Sequence, residues 1–131
     1  MPKLTYYKDT QSIQYEDDQG NIVAFECRDD FFPGYNSEGQ PRASLPVGEY
    51  LANAEEPPAE DSDEYGTFYI TTGDYRGRDI HGGGSGLDNP KAPRQGWYPT
   101  LGCLRMQNED GETISRMMIA DGNNIPLTVM F

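Results

Sequence analysis

The sequence predicts a mainly β fold: a curved two-sheet β-sandwich carrying one short helix. Three observations carry that prediction. Short runs of alternating, β-branched or aromatic residues recur along the chain; 15 glycines and 10 prolines punctuate its 131 residues; and helical spacing of apolar residues stands out near the C-terminal end. Gly and Pro are poor inside helices but supply the turns that many short strands need. The composition is polar for a folded chain, at 35% hydrophobic with a mean hydropathy of −0.78. Nine Tyr, five Phe and one Trp nevertheless provide large units of buriable surface. The length fits a single domain over residues 1–131, because a second core would leave both halves marginal.

Taken in order, Leu4–Tyr7 and Ser12–Tyr15 read as short strands, and Asp17-Asp18-Gln19-Gly20-Asn21 as the turn into a third. In Asn21–Arg28, Val23, Phe25 and Cys27 fall on one face and Ala24 and Glu26 on the other. That alternation marks a half-buried strand and points Cys27 inward, as a small buried hydrophobe with an inert thiol. Phe31–Ala43, with Pro33-Gly34, Asn36-Ser37, Gly39 and Pro41, is a loop ahead of the strand Gly48–Ala52. Glu55–Glu64 collects Glu55, Glu56, Glu60, Asp61, Asp63 and Glu64 around Pro57-Pro58 and has no face to bury. It reads as a mobile, solvated loop, with a lid or partner-binding patch as the alternative.

Thr67–Thr72 is rich in β-branched and aromatic residues and reads as a central strand, followed by a short strand Arg78–His81. Gly82–Pro99 is a long span holding Gly82-Gly83-Gly84, Gly86, Pro90, Pro93, Gly96 and Pro99. A loop of that length in a compact domain tends to build a site, so it is a candidate site wall. Asn108 or Asp110 caps a helix over Gly111–Ala120, where Ile114, Met117 and Met118 share a face. Asp121-Gly122-Asn123-Asn124 stops it, and Pro126–Phe131 returns as a strand with Leu127, Val129 and Phe131 inward.

Charge narrows the function classes. Ten basic against 22 acidic residues give a net charge of −12, which repels phosphate backbones and anionic lipid, so neither nucleic acid nor a membrane is an expected partner. A basic protein partner is compatible with it. No stretch approaches the roughly 20 apolar residues of a membrane span, and the N-terminus lacks an apolar h-region, so no export signal is expected in this chain. Two cysteines without a CxxC pair suggest neither a disulfide scaffold nor a zinc site. The glycines lack the spacing of phosphate-binding loops. No metal and no cofactor are expected, and the chain is expected to be a monomer.

Cys103 lies in Thr100-Leu101-Gly102-Cys103-Leu104-Arg105-Met106-Gln107-Asn108, at the end of the long loop and ahead of the helix. A glycine just before a thiol lets a substrate carbonyl approach, and free backbone N–H groups there can hold an oxyanion. A thiolate needs a base, and the sole histidine, His81, stands at a strand end upstream. Trp97 and Tyr98 flank the nucleophile segment and are candidates to line a peptide groove, against the alternative of anchoring the loop. Asp79 is expected on the face opposite His81 and is not cast as a third triad member. A backbone carbonyl is the preferred partner for the imidazole, with Asp74 a distant alternative.

The strand end Ile80-His81-Gly82 followed by Thr100-Leu101-Gly102-Cys103-Leu104-Arg105-Met106-Gln107-Asn108 resembles the signature of the L,D-transpeptidase (YkuD-like) catalytic domain, commonly written as a histidine, a spacer, then [ST]-H-G-C-[IVL]-R-[ML]-x-N. Leu45-Pro46-Val47-Gly48-Glu49-Tyr50 resembles that family's TPxGxY segment, so the similarity extends over nearly the whole chain. One position departs: Leu101 stands where the family usually has a second histidine. The spacer between His81 and Cys103 is also longer than is usual there.

The resemblance implies an L,D-transpeptidase-like fold and acyl transfer through a Cys103 thioester, with His81 as base and a peptidoglycan stem peptide as substrate. It implies an oxyanion site at Leu101–Cys103, with Thr100 hydrogen-bonding in the site and Arg105 pairing with a substrate carboxylate or with an acidic neighbour. An amine or water then resolves the acyl-enzyme, as transpeptidase or carboxypeptidase, and Leu101 leaves that balance open. Action at the cell wall is implied, after delivery to the envelope or loss of a leader. The alternative is a non-catalytic acidic binding domain that keeps the fold. A zinc site on Cys103 and His81 ranks behind both, since structural sites want four ligands.

Overall fold

A computed structural model of the protein describes residues 1–56 and 62–131. The elements are β1 (Lys3–Tyr7), β2 (Ser12–Glu16), β3 (Ile22–Arg28), β4 (Gly48–Ala54), β5 (Tyr69–Thr71), β6 (Ile80–His81), β7 (Leu104–Met106), α1 (Asn108–Ala120) and β8 (Ile125–Met130). The strands close into a barrel in the order β1-β2-β3-β7-β6-β5-β4-β8, with β8 returning to β1. Neighbours are antiparallel except β1–β8 and β6–β7, which are parallel. The mainly β architecture with one helix after Cys103 agrees with the sequence reading, but where a two-sheet sandwich was expected the strands form one closed barrel. Hydrogen bonding runs round a continuous circuit, with β3 and β4 each shared between its two arcs.

Alternation along the first strands builds the core. The β1–β2 register sets Leu4 opposite Tyr15 and Tyr6 opposite Ile13, all fully buried. From β8, Ile125, Leu127 and Val129 join them, and α1 lays Ile114 and Met118 onto the same cluster. Such large side chains each contribute on the order of 1.5–3 kcal/mol on burial. Phe131, expected inward, lies past the end of β8 and is 78% exposed. Among the described residues no helix is long and apolar enough to cross a membrane.

Several boundaries differ from the sequence reading, the strand expected over Arg78–His81 shortening to β6 among them, and three differences have a clear physical reason. The central strand expected over Thr67–Thr72 shrinks to β5, because only Asn53 and Ala54 of β4 and the two residues of β6 are there to pair with it. Strand β7 was not expected: Leu104, Arg105 and Met106 are all buried, and a strand covered on both faces shows no alternation. The helix starts at Asn108, with Gln107 at the N-cap and making no side-chain cap bond.

Asn108 is therefore not the cap. Its Oδ1 accepts the N–H of Thr67 (3.2 Å) and Gly83 (3.3 Å), and its Nδ2 donates to the carbonyls of Pro90 (2.9 Å) and Ala92 (2.7 Å). Gln95 donates to Met106 O (2.8 Å) and accepts from Asn108 N–H (2.7 Å), while the Gln107 side chain bonds Gly96 in both directions. Buried amides laced in this way satisfy the loop's own backbone groups, so the Gly82–Pro99 span is held against the start of the helix. The centre of the acidic Glu55–Glu64 stretch lies outside the described residues.

Candidate active site

The parallel pair β6–β7 places the chemistry. Its register sets Ile80 beside Leu104 and His81 beside Arg105, and Leu104 N–H donates to Asp79 O at 2.9 Å. Ile80 and Leu104 are fully buried in the core, so by alternation His81, Cys103 and Arg105 project to the other side. There they meet in a cavity of about 310 Å³ whose wall also includes Tyr65, Tyr69 and Tyr98. Thr100 and Leu101 close its edge, with Phe32, Glu64, Gly77 and Ser85 at other parts of the lining. Pocket chemistry and a polar cluster thus coincide in one concavity, the usual setting of a site.

Cys103 is half-buried. Its Sγ accepts the Asp79 N–H at 3.3 Å and lies 3.9 Å from the Gly77 carbonyl. His81, 2% exposed, has Nδ1 at 2.9 Å from Gly82 O. A carbonyl only accepts, so Nδ1 carries the hydrogen and Nε2 is left bare. Tyr69 stacks on the imidazole at 5.8 Å between ring centroids and 12° between planes, and Tyr65 meets it edge-on at 4.9 Å. The two rings fix its plane. No direct hydrogen bond links His81 to Cys103.

Electrostatics keep both groups neutral at rest. Burial pushes the Cys103 thiol up to about 11, with the Asp79 N–H and the Arg105 charge only partly opposing it. Burial likewise drops the His81 imidazole to about 4 against the pull of the Gly82 carbonyl, and the Arg105 charge adds to the fall. Desolvation disfavours the charged form of each group. A bare imidazole and an intact thiol suit general-base activation at the moment of attack rather than a standing ion pair.

The turn before Cys103 is built around Thr100. Its Oγ1 donates to Cys103 O at 2.8 Å and accepts Gly102 N–H at 3.0 Å. The Gly102 N–H is therefore spent, whereas the N–H groups of Leu101 and Cys103 make no hydrogen bond among the described residues. Gly102 sits at φ 136°, and a Cβ there would lie 2.8 Å from Ala43 O. Its lack of a side chain serves packing against the neighbouring chain as well as conformation.

Other candidates separate. Arg105 is 3% exposed; its Nη1 donates to the carbonyls of Glu64 (3.0 Å) and Gly82, and burial lowers it to about 10. Tyr98 lines the cavity, but Trp97 does not: it lies under the Arg28 guanidinium, 4.3 Å from ring centroid to Cζ, at an adjoining depression. Asp79 corrects the sequence reading. Residues two apart in a strand share a face, and its Oδ2 accepts the Tyr69 hydroxyl at 2.7 Å beneath the ring stacked on His81. It still makes no bond to the imidazole. Asp74 is bound to Arg78 at 2.8 Å and is not a partner of His81. Tyr65, Tyr69 and Glu64 escaped sequence reasoning: only the fold brings them to His81, and no spacing in the chain marks them. Among the described residues no cluster of potential ligands could hold a metal.

No family model matches the chain, and no curated protein matches it in sequence. Solved structures do match its fold. An L,D-transpeptidase from Xylanimonas cellulosilytica aligns with TM-score 0.62 at 15% identity, over 98% of this chain and 59% of its own. The helical cell shape determining protein Pgp2 from Campylobacter jejuni, a K307A mutant, aligns at 0.60 and 16%, over 98% and 46%. L,D-transpeptidase 1 from Mycobacterium tuberculosis aligns at 0.57 and 11%, over 99% and 63%. The chain has the fold of L,D-transpeptidase structures and spans less than two thirds of their length.

Proposed function

We propose that this chain is a YkuD-like catalytic domain spanning residues 1–131 that performs cysteine-dependent acyl transfer on peptidoglycan stem peptides at the cell wall. The observation that carries the reading is the meeting of Cys103 and His81 in one cavity, with the His81 tautomer fixed so that Nε2 is free. The thiol turns from the Gly77 carbonyl to the imidazole. Nε2 takes its proton as Sγ attacks the carbonyl between the third residue and the terminal D-alanine, and the Cys103 N–H, with that of Leu101, receives the oxyanion. The tetrahedral centre collapses, the C–N bond breaks, and the imidazolium returns its proton to the departing D-alanine amine. A stem amine or water then cleaves the thioester.

The exposed Leu101, at the position where the resemblance calls for a histidine, favours the second reading, an acidic binding domain. The two separate on turnover. Purified protein given stem tetrapeptide should release free D-alanine, and Cys103→Ser should release none. Absence of release by the wild type while it retains peptide binding would select the second reading.

A further inference from the structure

Strands β3 and β7 place Arg28 and Arg105 directly opposite one another. Like charges in that relation repel, and the chain has only ten basic residues to spend. Arg28 is relieved at the surface by Glu26, 2.7 Å away, and by its seat over Trp97. Arg105 has less relief, since the Glu64 charge acts on it only through space. Among the described residues no carboxylate bonds it, its buried Nε has no partner, and its Nη2 makes no hydrogen bond, since Nη1 alone serves Glu64 and Gly82. A buried cation that no carboxylate bonds is costly, and Nη2, unbonded and not closed off as Nε is, is the nitrogen that an incoming carboxylate can reach.

A depression of about 200 Å³ opens beside this pair, bounded by Arg28, Asp30, Trp97, Tyr98, Pro99 and Arg105. It shares Tyr98, Pro99 and Arg105 with the Cys103 cavity. We infer that it is a subsite for an amino-acid end group, the carboxylate held between Arg28 and Arg105 and the ammonium facing Asp30, with Trp97 and Tyr98 as apolar walls. A multiply charged anion would meet the Asp30 carboxylate, whereas a group carrying both signs satisfies every charge there. Its role, holding a substrate end beside the thioester, rests on the acyl-transfer reading; its binding chemistry does not.

The test uses Cys103→Ser, which cannot be acylated, and the indole N–H of the single Trp as an NMR reporter. Norleucine, norleucine amide and hexanoate are titrated in turn. Norleucine should give a saturable Trp97 shift; the amide, lacking the carboxylate, and hexanoate, lacking the ammonium, should each bind about tenfold more weakly. Arg28→Gln, a half-exposed change that leaves the core intact, should abolish the preference for norleucine over its amide, and Arg105→Lys should weaken it. The inference is overturned if norleucine produces no saturable shift, if either analogue binds as tightly, or if the preference survives both substitutions. Failure of D-alanine release with norleucine binding intact would remove the acyl-transfer reading and leave this subsite standing.

Discussion

At Cys103 and His81, burial sets the protonation states and therefore the pH behaviour. With the thiol raised to about 11, alkylation of Cys103 by iodoacetamide should accelerate about tenfold per pH unit from neutrality towards pH 11, because the thiolate is the reactive form. A plateau near pH 7 would mean that the thiol is already ionised. For His81 the sign runs the other way. Its folded value of about 4 lies below the unfolded 6.5, so the unfolded chain binds the extra proton between those values and stability falls as pH drops through that window. The loss reaches about 3 kcal/mol at pH 4. His81→Gln should flatten that part of the profile relative to wild type; identical profiles would contradict a buried neutral imidazole.

At the scale of the element, α1 shows packing overruling propensity. Gly111 lies inside the helix, where Ala would ordinarily gain about 1 kcal/mol. A Cβ at that position would collide with the Phe68 ring, so Gly111→Ala should lower the denaturant midpoint, and Phe68→Leu in the same chain should recover part of the loss. A stabilised single variant would show that the ring moves freely. Some of the chain's elements are legible for the same kind of local reason: Val23, Phe25 and Cys27 alternate in β3, and Ile114 and Met118 share a helical face. Strand β7 is illegible because it is covered on both faces. Asn108 looks like a cap by its position before the helix, but its side chain spends its bonds on Thr67, Gly83, Pro90 and Ala92, distant partners that no local pattern encodes.

For the whole molecule, a net charge of −12 makes self-repulsion a general cost of compactness. Exposed pairs such as Arg94–Glu109, about half exposed on each side, return little of it. Sodium chloride should therefore raise the melting temperature up to moderate concentration as it screens that repulsion; a steady fall would place the surface ion pairs ahead of it. Closure of the barrel also decides how far the site could be read from the chain. The motif around Cys103 and the single histidine were visible as residues. Their company in the cavity was not, since Tyr65 and Tyr69 meet His81 only once the fold pairs β5 with β6.

Nucleophilic attack by one defined sulfur is the premise on which the proposed substrate and base both depend. Intact-protein mass spectrometry after exposure to stem tetrapeptide tests it most directly. A single adduct with the mass of the tetrapeptide acyl group less its terminal D-alanine, mapped to Cys103 and lost in Cys103→Ser, with Cys27 untouched in its fully buried position, is the predicted result. Protein of unchanged mass under conditions where the peptide is bound, or an adduct on Cys27, would contradict it.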